Sequence, residues 1–395
     1  MAFLTSKSNK LFSPFVILLS VIVLGGVSQG LLLPLLSIFM EERGIPSSVN
    51  GMHAAALYIG SFAMSLVAER VLGVTGFKKL LLGGLTVVLI SLPLFPLVSD
   101  LKLWFVLRLL VGIGDSAIHF TSQLWLLLVS PPERRGRNIS LYGMSYGLGF
   151  SLGPLGIHLL PLGKLLPFVI LTVLFMAMIM LVIVKMPDMR PEKFESGEGA
   201  SERKFVLIYR AAWFALLPSL LFGYMESSMN SNFPIYGLRI GLSTGEISTL
   251  LPFFGIGGLI LQLPLGILSD RFGRKRVLMV AGLLGGLMFL LIPLYSNQFW
   301  ALMILFMLSG GFVGSFFSLG LAYAADILPK HWIPAANVIA SFHFSLGSIA
   351  GPNLGGQVME MGRAGMLFTL LGSAYLLFSI AGLAFRKNST KKLEI

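Results

Sequence analysis

The run Leu165–Val184 reads LLPFVILTVLFMAMIMLVIV and contains no charged residue. Comparable apolar runs recur along the whole chain, at Phe12–Leu35, Leu80–Val98, Val277–Leu294 and Met366–Phe385. A helix needs about 20 apolar residues to cross the roughly 30 Å hydrocarbon layer of a bilayer, where backbone polar groups must find partners within the protein. The sequence therefore predicts an all-α polytopic membrane protein, and the ten-residue alternation of a membrane barrel is not seen.

Composition supports the same class. Hydrophobic residues make up 55% of the 395 positions, and charged residues make up 12%, which is about half the fraction in a typical soluble domain. Boundaries placed at the polar breaks predict about twelve transmembrane helices, which we call spans 1 to 12: 13–40, 48–70, 78–98, 101–130, 137–161, 163–186, 206–236, 244–269, 275–295, 298–327, 331–360 and 364–386.

The net charge of +12 raises the question of nucleic-acid binding, but the distribution of Lys and Arg gives another reason for the surplus. Of the 29 basic residues, 23 lie at alternate breaks or span ends on one side of the predicted bilayer, and only Arg108 falls well inside a span. The positive-inside rule places this basic side in the cytoplasm of a cell membrane, together with both termini and the 187–205 loop. No nucleic-acid partner is expected.

The chain also repeats itself. Gly149-Phe-Ser-Leu-Gly153-Pro154 in span 5 matches Gly347-Ser-Ile-Ala-Gly351-Pro352 in span 11, which lies 198 residues later. Many secondary transporters are built from two such related halves. We therefore predict a six-helix bundle at 1–186, a cytoplasmic linker rich in Pro, Gly, Ser and charge at 187–205, and a second bundle at 206–395. Further matches at similar offsets are Pro34 with Pro234, Glu69-Arg70 with Asp270-Arg271, and Gly76–Lys79 with Gly273–Arg276.

The connection between spans 8 and 9 reads Gly266-Ile-Leu-Ser-Asp270-Arg271-Phe-Gly273-Arg274-Lys275-Arg276. It resembles the cytoplasmic loop motif of the major facilitator superfamily, G-x-x-x-D-R/K-x-G-R/K-R/K. The resemblance implies two six-helix bundles that alternate between inward-open and outward-open states around a central cavity. It also implies a conformational latch made of Gly266, Asp270, Arg271, Gly273, Arg274 and Lys275.

Three residues of the predicted latch are of types that suit their positions in it. Gly266 permits close approach of helices, and Gly273 allows a tight turn. Asp270 can face the positive end of a neighbouring helix, which we expect at Arg137–Ser140. The family usually carries this motif between helices 2 and 3, and there the sequence departs from the pattern. Ser65 and Glu69 replace the glycine and the aspartate, and Val71–Thr75 is expected to lengthen the loop; by symmetry, Glu69 is expected near Ile333–Ala336.

Two further segments resemble motifs of proton-driven exporters in the same family. Arg108–Gly112 resembles the R-x-x-x-G pattern, which implies a part in proton transfer. Gly149–Gly156 resembles the antiporter motif g-x-x-x-G-P-x-x-G-G, although Ile157 and His158 replace its last two glycines. The second copy, Gly347–Gly356, fits throughout. These glycines could equally serve only to pack helices, so we predict a helix-packing motif made of Gly149, Gly153, Pro154, Gly347, Gly351 and Pro352.

Span 4 carries three ionisable residues on one helix face. Arg108 and Asp115 are seven residues apart, which puts them within about 20° around the helix and about 10.5 Å along it. His119 follows one turn later, and Gly112 leaves space between the two charges. Such a stripe inside a bilayer must face water or a partner. We predict that Arg108, Asp115 and His119 face the cavity between the bundles and bind protons or substrate, although His119 could simply bond a nearby hydroxyl.

Span 7 contains the polar segment Tyr224-Met-Glu-Ser-Ser-Met-Asn-Ser-Asn232. Because so many polar groups cannot all face lipid, we expect this segment to line a cavity. Glu226 is then a candidate proton or cation site. The alternative is an interhelical hydrogen bond near the outer surface.

These residues and the resemblance predict a proton-coupled antiporter that exports amphipathic or hydrophobic small molecules. Asp115 and Glu226 would carry protons, and Arg108 would modulate Asp115. Solute uptake by symport and flipping of a lipid-linked substrate use the same fold and remain alternatives. The expected partners are the substrate, protons and membrane lipid. The sequence has no cysteine, no P-loop and no metal-ligand or catalytic spacing, so no enzyme activity, metal or cofactor is expected.

Overall fold

The computed structural model describes residues 13–190, 202–362 and 364–385, and every regular element in this part of the chain is a helix, without strands. The all-α prediction is therefore confirmed. Most of the predicted linker, at residues 191–201, lies outside the described residues. Both termini, at 1–12 and 386–395, whose cytoplasmic position was predicted, also lie outside them. The α-helices are α1 (Pro14–Glu42), α2 (Ser47–Thr75), α3 (Phe77–Leu97), α4 (Leu101–Val129), α5 (Arg135–Leu152), α6 (Leu166–Lys185), α7 (Glu202–Arg239), α8 (Thr244–Phe272), α9 (Arg274–Leu291), α10 (Phe299–Val313), α11 (Phe316–Ile327), α12 (Ile333–Met361) and α13 (Met366–Ala384).

Spans 5 and 10 are among the predicted spans that are not continuous α-helices. Span 5 passes from α5 into a 3-10 helix at Gly153–Leu162, because Pro154 has no N–H to donate to the α-helical ladder. Span 10 is divided into α10 and α11 around Gly314 and Ser315. Glycine is a poor helix former, by about 1 kcal/mol relative to alanine, and two glycines fall just before this break, with a third in it.

The predicted loop at Val71–Thr75 is wrong, because α2 continues through it as an additional helical turn. The Thr75 hydroxyl donates to the Val71 carbonyl oxygen at 2.8 Å, so the threonine side chain adds a bond within that turn. Gly76 then ends the helix with φ +81°, a backbone conformation that is unfavourable for residues with a side chain. The departure from the family motif is therefore a longer helix and not a longer loop.

Ten segments of the described chain are long and apolar enough to cross a bilayer, and α4 and α5 are not among them. Helix α4 contains Arg108, Asp115 and His119, and α5 is rich in glycine, serine and tyrosine. Helices of this composition are stable in a membrane only when their polar side chains are enclosed by protein or face water. The ionisable side chains of α4 therefore indicate where the polar site lies.

The described residues form two compact units. The first is built from the described parts of Met1–Leu31 and Ala56–Glu195, and the second from those of Leu32–Ala55 and Ser196–Ile395. In the first unit, α3 packs along α4 and α6. In the second, α7 packs along α12, and α8 packs along α10.

Residues 32–55 belong to the second unit because they are bonded to α7 and α12. The Ser47 hydroxyl donates to the Gly356 carbonyl oxygen at 2.9 Å, and both groups are buried. The Arg239 guanidinium forms an ion pair with the Glu41 carboxylate, with Nε and Oε1 2.7 Å apart. The predicted division of the chain at 187–205 stays a prediction.

The glycines predicted as a packing motif bring helix backbones together in the same way in both units. A Cβ on Gly149 would overlap the carbonyl oxygen of Val23 in α1. In the second unit, a Cβ on Gly347 would overlap the carbonyl oxygen of Leu220 in α7. Gly153 and Gly351, one turn further along, make equivalent contacts with the same two helices. Small residues allow such approach in membranes, where packing and not hydrophobicity drives helix association.

The absence of cysteine from the sequence permits a direct test of the predicted topology. Lys102 and Lys330 are exposed and are predicted on opposite sides of the membrane. We expect a membrane-impermeant maleimide to label Lys102→Cys in intact cells and Lys330→Cys only after permeabilisation. Equal labelling of Lys330→Cys in intact cells would contradict the predicted orientation.

Candidate functional site

Two charged side chains of α4 are buried inside the first unit. Arg108 and Asp115 are each 1% exposed, so neither points to the surroundings of the chain. The carboxylate of Asp115 is directed at α1, where the side chain of Gln29 lies beside it. Among the described residues, no hydrogen bond of ordinary length reaches either oxygen of this carboxylate.

His119 connects α4 to α5. Its Nδ1 lies 2.7 Å from the Tyr142 hydroxyl, and its ring meets the edge of Tyr146, with 4.7 Å between the ring centroids. The Tyr146 hydroxyl in turn donates to Gln29 Oε1 at 2.6 Å. Gln29, Asp115, His119, Tyr142 and Tyr146 therefore form one group at the contact of α1, α4 and α5, which we call the α4 polar cluster.

The sequence did not single out Gln29, Tyr142 or Tyr146. A signal was present, because Gln29 interrupts an otherwise apolar span and the two tyrosines are four residues apart on one face of α5. The histidine–hydroxyl bond considered as an alternative for His119 is present in the structure. Whether Arg108, Asp115 and His119 bind protons or substrate stays a prediction.

The expectation that Gly112 leaves space between Arg108 and Asp115 is wrong. A Cβ on Gly112 would overlap the carbonyl oxygen of Leu57, so the backbone of α2 occupies this position. Gly60 makes the reciprocal contact with α4 at Leu109. Gly112 is therefore where α4 and α2 pack closely, and not an opening beside the charges.

The polar segment of α7 is mostly buried in protein and does not line a cavity as a whole, which corrects the expectation from sequence. The Ser227 hydroxyl donates to the Gly223 carbonyl oxygen at 2.8 Å, one turn back along the same helix. The Asn232 amide donates to the carbonyl oxygen of Pro352 in α12 at 3.2 Å. Glu226 differs from these groups because it is only partly buried. It remains the candidate proton or cation site of this helix.

Within the predicted latch, Arg274 binds two carboxylates of its own unit. Its Nη2 donates to Asp270 Oδ1 at 3.0 Å, and its Nε donates to Asp326 Oδ2 at 2.7 Å. Gly273 has φ +91°, the backbone of the tight turn expected there. At Gly266 the expected close approach is not found, since no described atom lies within 4 Å of a Cβ built at this glycine. Arg271 is exposed, and the predicted contact of Asp270 with another helix terminus stays a prediction.

Lys275 binds the end of the last helix of its unit, and the equivalent lysine of the first unit makes the same kind of contact. Its Nζ donates to the Phe385 carbonyl oxygen at 2.7 Å, directly after α13. At the equivalent position 197 residues earlier, Lys78 Nζ donates to the Ile183 carbonyl oxygen in the last turn of α6 at 2.8 Å. A cation is favoured there by the unpaired carbonyls and the helix dipole. The basic loop therefore fastens the last helix of each unit.

Within the described residues, no three His, Asp or Glu side chains are grouped so as to hold a metal ion.

The long apolar helices and the polar cluster enclosed among them are those of a multi-pass membrane protein. The sequence profile of the Major Facilitator Superfamily matches residues 18–260 and 221–394. The MFS-type transporter YfkF of Bacillus subtilis is 39% identical over 357 residues, which cover 90% of each chain. The MFS-type transporter YcaD of Escherichia coli is 23% identical over 371 residues, 92% of this chain and 94% of that one. The chain belongs to the major facilitator superfamily, and it is a secondary transporter and not an enzyme.

Solved structures share this fold at low identity. A crystal structure of the nucleoside transporter NupG superposes with a TM-score of 0.73 at 16% identity, covering 94% of this chain and 98% of that one. A bacterial homologue of the human lysosomal transporter Spinster, in an inward-facing and occupied conformation, gives a TM-score of 0.65 at 14% identity and covers 94% of both chains. Likeness at this level concerns the fold alone.

Proposed function

We propose that the protein exports amphipathic or hydrophobic small molecules across the cell membrane in exchange for protons. The observation that carries the proposal is the Asp115 carboxylate, which is 1% exposed and lies on a long, predominantly apolar helix of the first unit. A carboxylate inside a membrane protein must be stabilised by dipoles, by a cation or by a proton. Such a group is suited to a cycle in which proton binding and release accompany a change of access.

The α4 polar cluster supports this role by offering groups of the right chemistry around Asp115. Gln29 can donate an amide N–H to the ionised carboxylate, because its own oxygen is already used by Tyr146. Tyr142 and His119 are hydrogen-bonded to each other. Arg108, on the same face of α4, would bias the charge state of Asp115 through the field of its guanidinium. Glu226 would be the second carboxylate, in the other unit.

A second candidate is uptake by proton symport. The specific observation in its favour is the hydrogen-bonding character of the cluster, since amide, imidazole and phenol groups suit a polar solute as well as a proton. NupG, which shares the fold, is a nucleoside transporter, so nucleosides belong among the solutes to be tested. A lipid-linked substrate is the third possibility for the same fold.

Transport in proteoliposomes separates these functions by the sign of the pH gradient. We expect an acidic lumen to drive accumulation of cationic amphiphilic dyes, because an antiporter lets protons out as substrate enters, in whichever orientation it is inserted. A symporter requires the opposite gradient, with the acid outside. Nucleosides and a fluorescent lipid-linked sugar complete the panel.

Protein-free liposomes and a protonophore are the controls. Accumulation that survives the protonophore would show that protons are not the coupling ion. Accumulation only with acid outside would replace export by uptake, and equilibration without accumulation would indicate facilitated diffusion.

A further inference from the structure

An apolar groove lies between α8 and α9 in the second unit, with a volume of about 300 Å³. Its floor includes Leu265 and Ala281, which are 7% and 1% exposed. Its walls include Phe272 and Val280, which are 60% and 55% exposed and so lie at the surface of the membrane-spanning helices. Arg276 is the one lining residue with a charged group, and it contributes only apolar atoms to the lining.

Arg276 differs from the two basic residues before it. Arg274 is bound to two carboxylates, and Lys275 is bound to the carbonyl oxygen of Phe385. Among the described residues, Arg276 has no ion pair or hydrogen bond, and it is exposed. The first turn of α9 therefore places an unpaired guanidinium outside the apolar lining of the groove, on a residue whose stem lines it, and on the side predicted to be cytoplasmic.

We propose that this groove binds an anionic phospholipid of the cytoplasmic leaflet, with one acyl chain along α8 and α9 and the phosphate against Arg276. Acyl chains are the medium around these helices, and they fill an apolar surface groove without competition from water. Basic pockets at the cytoplasmic side of membrane helices select anionic headgroups. A guanidinium suits this task because it can donate two parallel N–H bonds to phosphate oxygens.

The size of the groove favours a lipid chain over a protein partner. A volume of 300 Å³ is at the lower end of small-molecule sites, about 300–1,000 Å³. A stable protein interface buries on the order of 800 Å² on each partner and would extend well beyond these helices. The proposal requires that α8 and α9 span a membrane with the start of α9 on the cytoplasmic side, and it is independent of the substrate and of the direction of transport.

The test measures lipid binding to the purified full-length protein by native mass spectrometry, with dioleoyl phosphatidylglycerol and dioleoyl phosphatidylcholine as probes. We expect the parent to prefer phosphatidylglycerol, and Arg276→Gln to lower its affinity for that lipid about fivefold, since one basic residue near anionic lipid is worth about 1 kcal/mol. Affinity for phosphatidylcholine should not change. The matched control is Lys330→Gln, which removes an exposed charge predicted on the same side.

A second variant tests the groove itself. Val280→Trp fills the groove and is expected to weaken the binding of both lipids, whereas Leu263→Trp, at a 71% exposed position of α8 that does not line it, should not. Thermal unfolding of each variant shows that it is folded. Unchanged phosphatidylglycerol affinity in Arg276→Gln would overturn the proposal. Displacement of the lipid by inorganic phosphate would also overturn it. So would the finding that the parent is a dimer and that Val280→Trp dissociates this dimer.

Discussion

Asp115→Asn is expected to abolish substrate accumulation driven by a pH gradient, down to the level of protein-free liposomes. The asparagine keeps the shape of the side chain but cannot take up and release a proton, so substrate movement loses its link to the gradient. Exchange of substrate across the membrane without a gradient should survive better, because the binding groups around Asp115 remain. Both activities are measured on the same proteoliposomes with labelled substrate.

Asp100→Asn is the matched control for this experiment. Asp100 is exposed at the start of α4, where its side chain accepts a hydrogen bond from the backbone N–H of Lys102 at 2.7 Å. Asparagine also accepts such a bond, so driven transport should equal that of the parent. Glu226→Gln tests the second carboxylate in the same way. If both Asp115→Asn and Glu226→Gln accumulate substrate as the parent does, neither residue couples transport to protons.

Gly356→Val is expected to stop transport almost completely. A Cβ at Gly356 would overlap the carbonyl oxygen of Ser47, which belongs to the backbone and cannot turn away as a side chain could. Overpacking at such a contact costs about 1–3 kcal/mol. The variant therefore disfavours the observed state, in which the start of α2 packs against α12. Alternating access needs this state and its opposite to be close in free energy.

Transport rate and thermal unfolding in detergent are measured together for this variant. Gly83→Val is the matched control, because Gly83 is exposed on α3 and no described atom lies within 4 Å of a Cβ built there. We expect the control to retain transport. Parent-like transport by Gly356→Val would show that the Ser47–Gly356 contact has no part in the transport cycle.

The sequence predicted most of the fold because the bilayer imposes a local rule on every span. Apolar length and the polar breaks between the runs located the helices, and the repeat of Gly149 and Gly347 at a fixed offset indicated two related halves. The errors occurred where the local rule does not decide. Val71–Thr75 is compatible with a loop or a helix, and only the positive φ of Gly76 marks the end of α2.

The candidate site was only half predictable, for a different physical reason. Helical periodicity placed Arg108, Asp115 and His119 on one face of a single helix, which requires no knowledge of other helices. The rest of the α4 polar cluster comes from α1 and α5, and no local pattern in span 4 encodes which side chains those helices present to it. The occupied space beside Gly112 could not be predicted either, since it depends on the approach of α2.

The composition of α4 has a consequence for how the protein is made. On the scale measured for insertion through the translocon, each aspartate or arginine at the centre of a helix costs about 2.5–3.5 kcal/mol. Helix α4 contains one of each, Arg108 and Asp115. We therefore expect the cell to integrate α4 together with neighbours already made, through its close contacts with α2. A substitution at Gly112 should then lower the amount of protein in the membrane before it changes any transport rate.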